Sequence, residues 1–88
     1  YTITDSDYII GVDSSGGAVV LTFPAASALT AGQMFIIKDE NGSAGTNKIT
    51  VTGSAGSNTI DGQTSAVLES SYASITIYCD GSTKFFIV

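Results

Sequence analysis

Four short stretches of this chain are apolar on both faces of an extended strand, and nothing else in it limits the possible folds so much. Residues 34 to 37 read Met-Phe-Ile-Ile. Successive side chains of a strand point to opposite sides, so Met34 and Ile36 share one face and Phe35 and Ile37 share the other. Both faces need cover. The same holds for "DYIIGV" (7–12), "AVVLTF" (18–23) and "KFFIV" (84–88). A small two-layer domain covers each strand on one side only. The second face is therefore expected to meet another copy of the same chain.

The rest of the pattern is that of an all-β domain. No segment sustains a helical period, and the apolar residues fall in short runs of Ile, Val, Tyr and Phe separated by Gly, Ser, Asn and Asp. Strands are expected at about 2–4, 8–12, 17–23, 34–38, 47–52, 58–60, 65–69, 72–79 and 83–88. "NKITVTG" and "ASITIYCD" alternate as half-buried strands do, with Ile49, Val51, Ala73, Ile75, Ile77 and Cys79 inward and Thr50, Thr52, Thr76 and Tyr78 outward. Turns are expected at 13–18, 39–42, 53–58, 61–65 and 80–84, where Gly sits beside Asp, Asn or Ser and positive φ is cheap. Asp80-Gly81 is the strongest hairpin signal. In "FPAASALTAGQ" (23–33), Pro24 stops the preceding strand, and a helical turn is expected before Gly32 to cap one end of the fold. No repeat of fixed period is present, which argues against a triple β-spiral or a β-helix.

Length and charge narrow the function. At 88 residues the chain is one domain, residues 1–88, close to the size at which small scaffolds need a disulfide, a metal or a partner subunit. One Cys allows no disulfide within the chain, and one Cys without His excludes a thiolate or imidazole zinc site. Oligomerisation is what remains. Three Lys, no Arg and eight acids give a net charge of −5, unsuited to nucleic acid. Only 12% of residues are charged and 43% are hydrophobic, a balance that suits a compact assembly. No apolar run is long enough to span a bilayer, and "YTITDSDY" lacks the layout of a signal peptide. The absence of an initial Met leads us to expect a piece of a longer protein.

No catalytic, cofactor or metal site is expected. Nucleophilic triads and dyads need a base, and there is no His. Cys79, in line with Ile75 and Ile77, reads as a buried structural thiol. Asp5 with Asp7 and Asp39 with Glu40 are adjacent acids, but in polar turns, where solvated carboxylates are expected rather than an acid/base pair. "DENGSAGTNKIT" (39–50) sets Asp39, Asn41 and Ser43 at alternate positions as a calcium loop would. Gly42 comes too early, and Thr50 stands where a bidentate Glu belongs. Asn41-Gly42-Ser43 matches the glycosylation sequon, a pattern of low specificity. Among Tyr1, Tyr8, Tyr72 and Tyr78, the outward Tyr78 is the best candidate for stacking on a sugar, against the simpler reading of a cross-strand packing aromatic.

Taken in order, "DYIIGVDSSGGAVVLTFPAAS", "AGQMFIIKDENGSAGTNKITVTGSAGSNTIDGQTSAVL" and "YASITIYCDGSTKFFIV" resemble a short β module of bacteriophage and other viral tail-fibre and head-fibre proteins, often near the C-terminus. The resemblance covers nearly the whole chain. It rests on Phe23-Pro24-Ala25 at a corner, Lys38-Asp39 and Asn47-Lys48-Ile49-Thr50 in a hairpin, Thr59-Ile60-Asp61-Gly62 at a turn, and Asp80-Gly81 before Phe85-Phe86-Ile87-Val88. Phe85 or Phe86 stands where the module carries Trp. The resemblance implies a virion structural protein, on a fibre, tail or capsid surface, that forms a homotrimer and trimerises the fibre or meets a host-cell glycan or protein.

Together these readings predict an antiparallel, jelly-roll-like β-sandwich assembled as a homotrimer. Its subunit boundary is expected among Met34, Phe35, Ile36, Ile37, Phe85, Phe86, Ile87 and Val88, with Phe35 and Ile37 facing the neighbouring subunit. The Gly-rich loops at one end would be the candidate receptor surface. A non-catalytic carbohydrate-binding or adhesin-type β-sandwich is the competing reading. It would be a monomer with several exposed aromatics on one face.

Overall fold

The computed structural model describes residues 1–54 and 58–88. Within them the chain forms eight strands: β1 (Ile9–Val12), β2 (Val19–Thr22), β3 (Met34–Asp39), β4 (Ile49–Thr52), β5 (Thr59–Ile60), β6 (Ser65–Leu68), β7 (Ser74–Cys79) and β8 (Lys84–Ile87). One 3-10 turn, Ala26–Ala28, follows Pro24 as the Ala/Ser run predicts. The expected strand at 2–4 reduces to a single parallel bridge between Thr2 and Thr22. The turn expected at 53–58 lies in part outside the described residues.

The strands form two mixed sheets, one of five strands in the order β1-β3-β7-β8-β5 and one of three in the order β2-β4-β6. From β1 to β7 the chain changes sheet at every step, so a strand often returns beside its predecessor running the same way. Pairs β1/β3, β2/β4 and β5/β8 are parallel, whereas β3/β7, β4/β6 and β7/β8 are antiparallel. This corrects the expected antiparallel arrangement. Alternation tells which face of a strand is buried, but it carries no record of which strand lies alongside.

The hydrophobic core lies between the sheets. Leu21, Ile49, Val51 and Leu68 of the three-stranded sheet join Ile10, Val12, Phe35, Ile37, Ile77, Cys79 and Phe85 of the five-stranded one in a single buried cluster. Phe23 sits at its centre, edge-on to Phe35 at 5.1 Å and stacked on Phe85 at 4.5 Å. Inward placement of Ile49, Val51, Ile77 and Cys79 follows the alternation in their strands. The Cys79 thiol is buried and donates to the Thr30 carbonyl at 3.1 Å, as a structural thiol does. The Asp80-Gly81 hairpin also forms: Asp80 Oδ1 accepts from the N–H groups of Ser82, Thr83 and Lys84 at 2.8 to 3.1 Å, and Gly81 takes φ +77°.

Because Phe23 is the ring shared by both contacts, Phe23→Ala should cost about 3–5 kcal/mol in urea unfolding. Val20→Ala, at an exposed position of the same segment, should stay within about 0.5 kcal/mol.

Candidate assembly surface

Register across the five-stranded sheet decides which apolar residues share its outer face. Met34 pairs with Tyr78, and Tyr78 with Phe86, so these three form one row. Ile9 pairs with Ile36 and Ile36 with Thr76, while the Val88 N–H donates to the Thr76 carbonyl at 2.9 Å, completing a second row. Tyr78 and Phe86 rings lie 5.3 Å apart at 35°, a cross-strand aromatic contact. Ile9, Met34, Tyr78 and Val88 are exposed, and Ile36 and Phe86 are half-buried. The result is an apolar sheet face open to solvent.

This divides the eight residues expected at a subunit boundary. Met34, Ile36, Phe86 and Val88 belong to the outer face. Phe35, Ile37 and Phe85 do not: each is 0% exposed in the protomer's own core, and this corrects their assignment to an interface. Ile87 has the inward parity of Phe85 but sits at the margin of the sheet, where its N–H donates to Asp61 Oδ1 at 3.1 Å. Two members of the face fell outside the expected set. Ile9 is marked only by the two-sided "DYIIGV", and Tyr78, the best candidate for a sugar platform, packs its ring on Phe86 as the simpler reading of a cross-strand aromatic has it. The outer face of the three-stranded sheet is more polar, with Val20 and Val67 flanking Thr50 across the register.

Beyond the last residue of β3 the architecture is polar. Asp39 is wholly buried, not the solvated turn acid its segment suggests. Its Oδ1 accepts from the N–H groups of Asn41 and Gly42 at 3.1 and 3.0 Å, and its Oδ2 from those of Ala44 and Tyr72 at 3.0 and 2.9 Å. One carboxylate thus ties the loop after β3 to the loop before β7. Of the positions that would mark a calcium loop, Asp39 and Asn41 serve this clamp, and the Ser43 hydroxyl donates to Asn41 Oδ1. Close packing explains Gly42 as well, because it adopts φ +86° and a Cβ there would come within 2.8 Å of the Tyr72 ring. Tyr72 itself takes φ +60°, uncommon for a bulky residue. Its N–H is held by Asp39, and its carbonyl accepts from Lys38 Nζ, which lies 5.8 Å from the centre of its ring.

Burial by itself would raise the Asp39 pKa, but the N–H groups of Ala44, Tyr72, Gly42 and Asn41 outweigh it and hold the carboxyl at about 2. Asp80 is held below its ordinary value, first by the Lys84 N–H, and Asp7 by the Thr4 N–H and then the Tyr1 hydroxyl.

No protein-family model matches the chain, and a search of curated proteins finds no match.

Since the folded pKa of Asp39 lies below that of an unfolded Asp near 3.9, its stabilising effect is full above about pH 4 and is lost as pH falls through about 2. Thermal melts of Asp39→Asn, which turns an NH2 toward backbone donors, should show a lower Tm at pH 7 than the parent. The difference should shrink between pH 4 and pH 2. Asp5→Asn should leave the melt within a degree or two.

Proposed function

We infer that this chain is a non-catalytic structural module of a virion fibre, on a tail or a head, that assembles as a homotrimer through the outer face of its five-stranded sheet. The observation that carries this reading is that face: Met34, Ile36, Tyr78, Phe86 and Val88 lie together on one rigid surface, and two of its strands are those that the sequence marks as apolar on both sides. A stable interface takes about 800 Å² per partner, roughly a sixth of the 4537 Å² that the protomer exposes, which is within reach of one sheet face with its flanking loops. The threefold number and the virion setting rest on the resemblance of the chain to viral fibre modules. Copies related by closed rotation would bury the face without leaving it free to propagate. The loops at one end, stiffened by the clamp of Asp39, supply a surface suited to contact with a host-cell glycan or protein.

A carbohydrate-binding or adhesin-type module is the second reading, favoured by the partly exposed Tyr78 and Phe86 ring pair. It differs in requiring that face to stay open in a monomer.

Light scattering coupled to size exclusion over a dilution series separates the two. Trimer assembly predicts a mass of three chains that does not change on dilution. Ile36→Asp and Phe86→Asp should each reduce it to one chain with the β circular dichroism spectrum retained, and Thr50→Asp, on the opposite sheet, should leave it at three. A parent chain that runs as a monomer at every concentration would overturn the fibre reading and bring the sugar-binding one forward.

A further inference from the structure

Away from the outer face, the two sheets end together at an open edge, where β1 borders the five-stranded sheet and β2 the three-stranded one. Between them runs a groove enclosing about 400 Å³, lined by Ile10, Val12, Val19 and Leu21, with Asp7 and Asp13 at either end of β1. The far wall is already closed. Residues 1–3 lie along the edge of β2, the Tyr1 amine donating to the Val20 carbonyl, the Thr22 N–H to that of Tyr1, and the Ile3 N–H to that of Thr22. Among the described residues the edge of β1 has no such cover. Its even-numbered residues serve β3, as the Ile36 N–H donating to Tyr8 O and the Glu40 N–H donating to Val12 O show. In a parallel pair alternate residues bond to the same neighbour, so the N–H and C=O groups of Ile9 and Gly11 face the groove.

We propose that this edge groove binds an extended peptide that adds to β1 as a further strand, with apolar side chains at alternate positions and a cationic side chain at each end. Unpaired strand edges are templates for such addition, and main-chain bonds supply affinity while pockets select side chains. Charge selects the ends. Asp7 and Asp13 are six residues apart, about 20 Å along a strand, so cations on the same face of the incoming strand must share that spacing. Neither carboxylate has a cationic partner among the described residues, where the one ion pair joins Lys48 to Glu69. Both are ionised at neutral pH, Asp7 held down by Thr4 and Tyr1 and Asp13 by Ser15. A second copy of this chain is a poor occupant. It carries −5, and none of Lys38, Lys48 and Lys84 lie six residues apart. This proposal does not depend on the fibre reading, because the groove follows the sheet edges and shares only Ile9 with the outer face.

The probe is the acetylated, fluorescein-labelled peptide Lys-Val-Thr-Val-Thr-Val-Lys, titrated with the full chain by fluorescence anisotropy at low salt. Saturable binding is expected, weakened about two- to five-fold by each of Asp7→Asn and Asp13→Asn. It should be abolished when the peptide is N-methylated on alternate bonds, a change that leaves the protein untouched. Amide exchange followed by NMR should show Ile9 and Gly11 becoming protected only when peptide is added. The proposal fails if the peptide does not bind, or if a peptide with Glu in place of Lys binds equally well. It fails also if Ile9 and Gly11 stay unprotected at saturation, or if they are protected in the free protein because another copy fills the edge. The mass of the assembly, read separately, bears on the fibre reading alone.

Discussion

Phe23 holds the two layers of this protein together. Its backbone belongs to the three-stranded sheet, donating to the Thr52 carbonyl at 2.9 Å, while its ring lies between Phe35 and Phe85 of the five-stranded sheet. An edge-on contact on one side and a stack on the other are both favourable ring geometries, so one side chain joins β3 and β8 across the core. The consequence reaches the surface. Once Phe35 and Phe85 are drawn inward, strand parity sends Met34, Ile36 and Phe86 to the other face. The outer apolar face is thus the necessary counterpart of the aromatic core.

Asp39 does for the loops what Phe23 does for the sheets. A buried carboxylate is costly unless its lone pairs are filled, and here backbone donors from two loops fill them. Those donors come from segments about thirty positions apart in sequence, so the clamp converts two polar segments into one rigid end of the fold. Core and clamp together leave a stiff sheet face and stiff loops, which is what the proposed assembly would need from a chain of this size.

Much of this was legible in the residues. Strand positions, the turn after Pro24, the Asp80-Gly81 hairpin and the buried thiol of Cys79 all follow from local pattern, because backbone geometry ties each to its own few residues. The candidate assembly surface was legible by halves. "MFII" and "KFFIV" announce two apolar faces, but parity is symmetric, and nothing within the strand says which face the core will take. Phe35 and Ile37 were therefore exchangeable with Met34 and Ile36 until Phe23 was placed beside them. Asp39 misled for a related reason: in a turn rich in Asn, Gly and Ser a carboxylate reads as solvated, and its decisive donor, Tyr72, lies thirty-three residues away.

What the sequence by itself determined is the class of the chain: an all-β domain without the residues for a zinc site of thiolate and imidazole or a His-dependent nucleophile, and with more apolar strand surface than one small core can use. Only the tertiary structure decided the partners of each strand, the mixture of parallel and antiparallel pairs, the side of each two-sided strand that faces out, and the edge of β1 left open beside Asp7 and Asp13. The reason is physical. Alternation along a strand is local and survives in any arrangement, whereas pairing and burial are set by contacts between segments far apart in the chain, whose strengths emerge only when the whole core is packed.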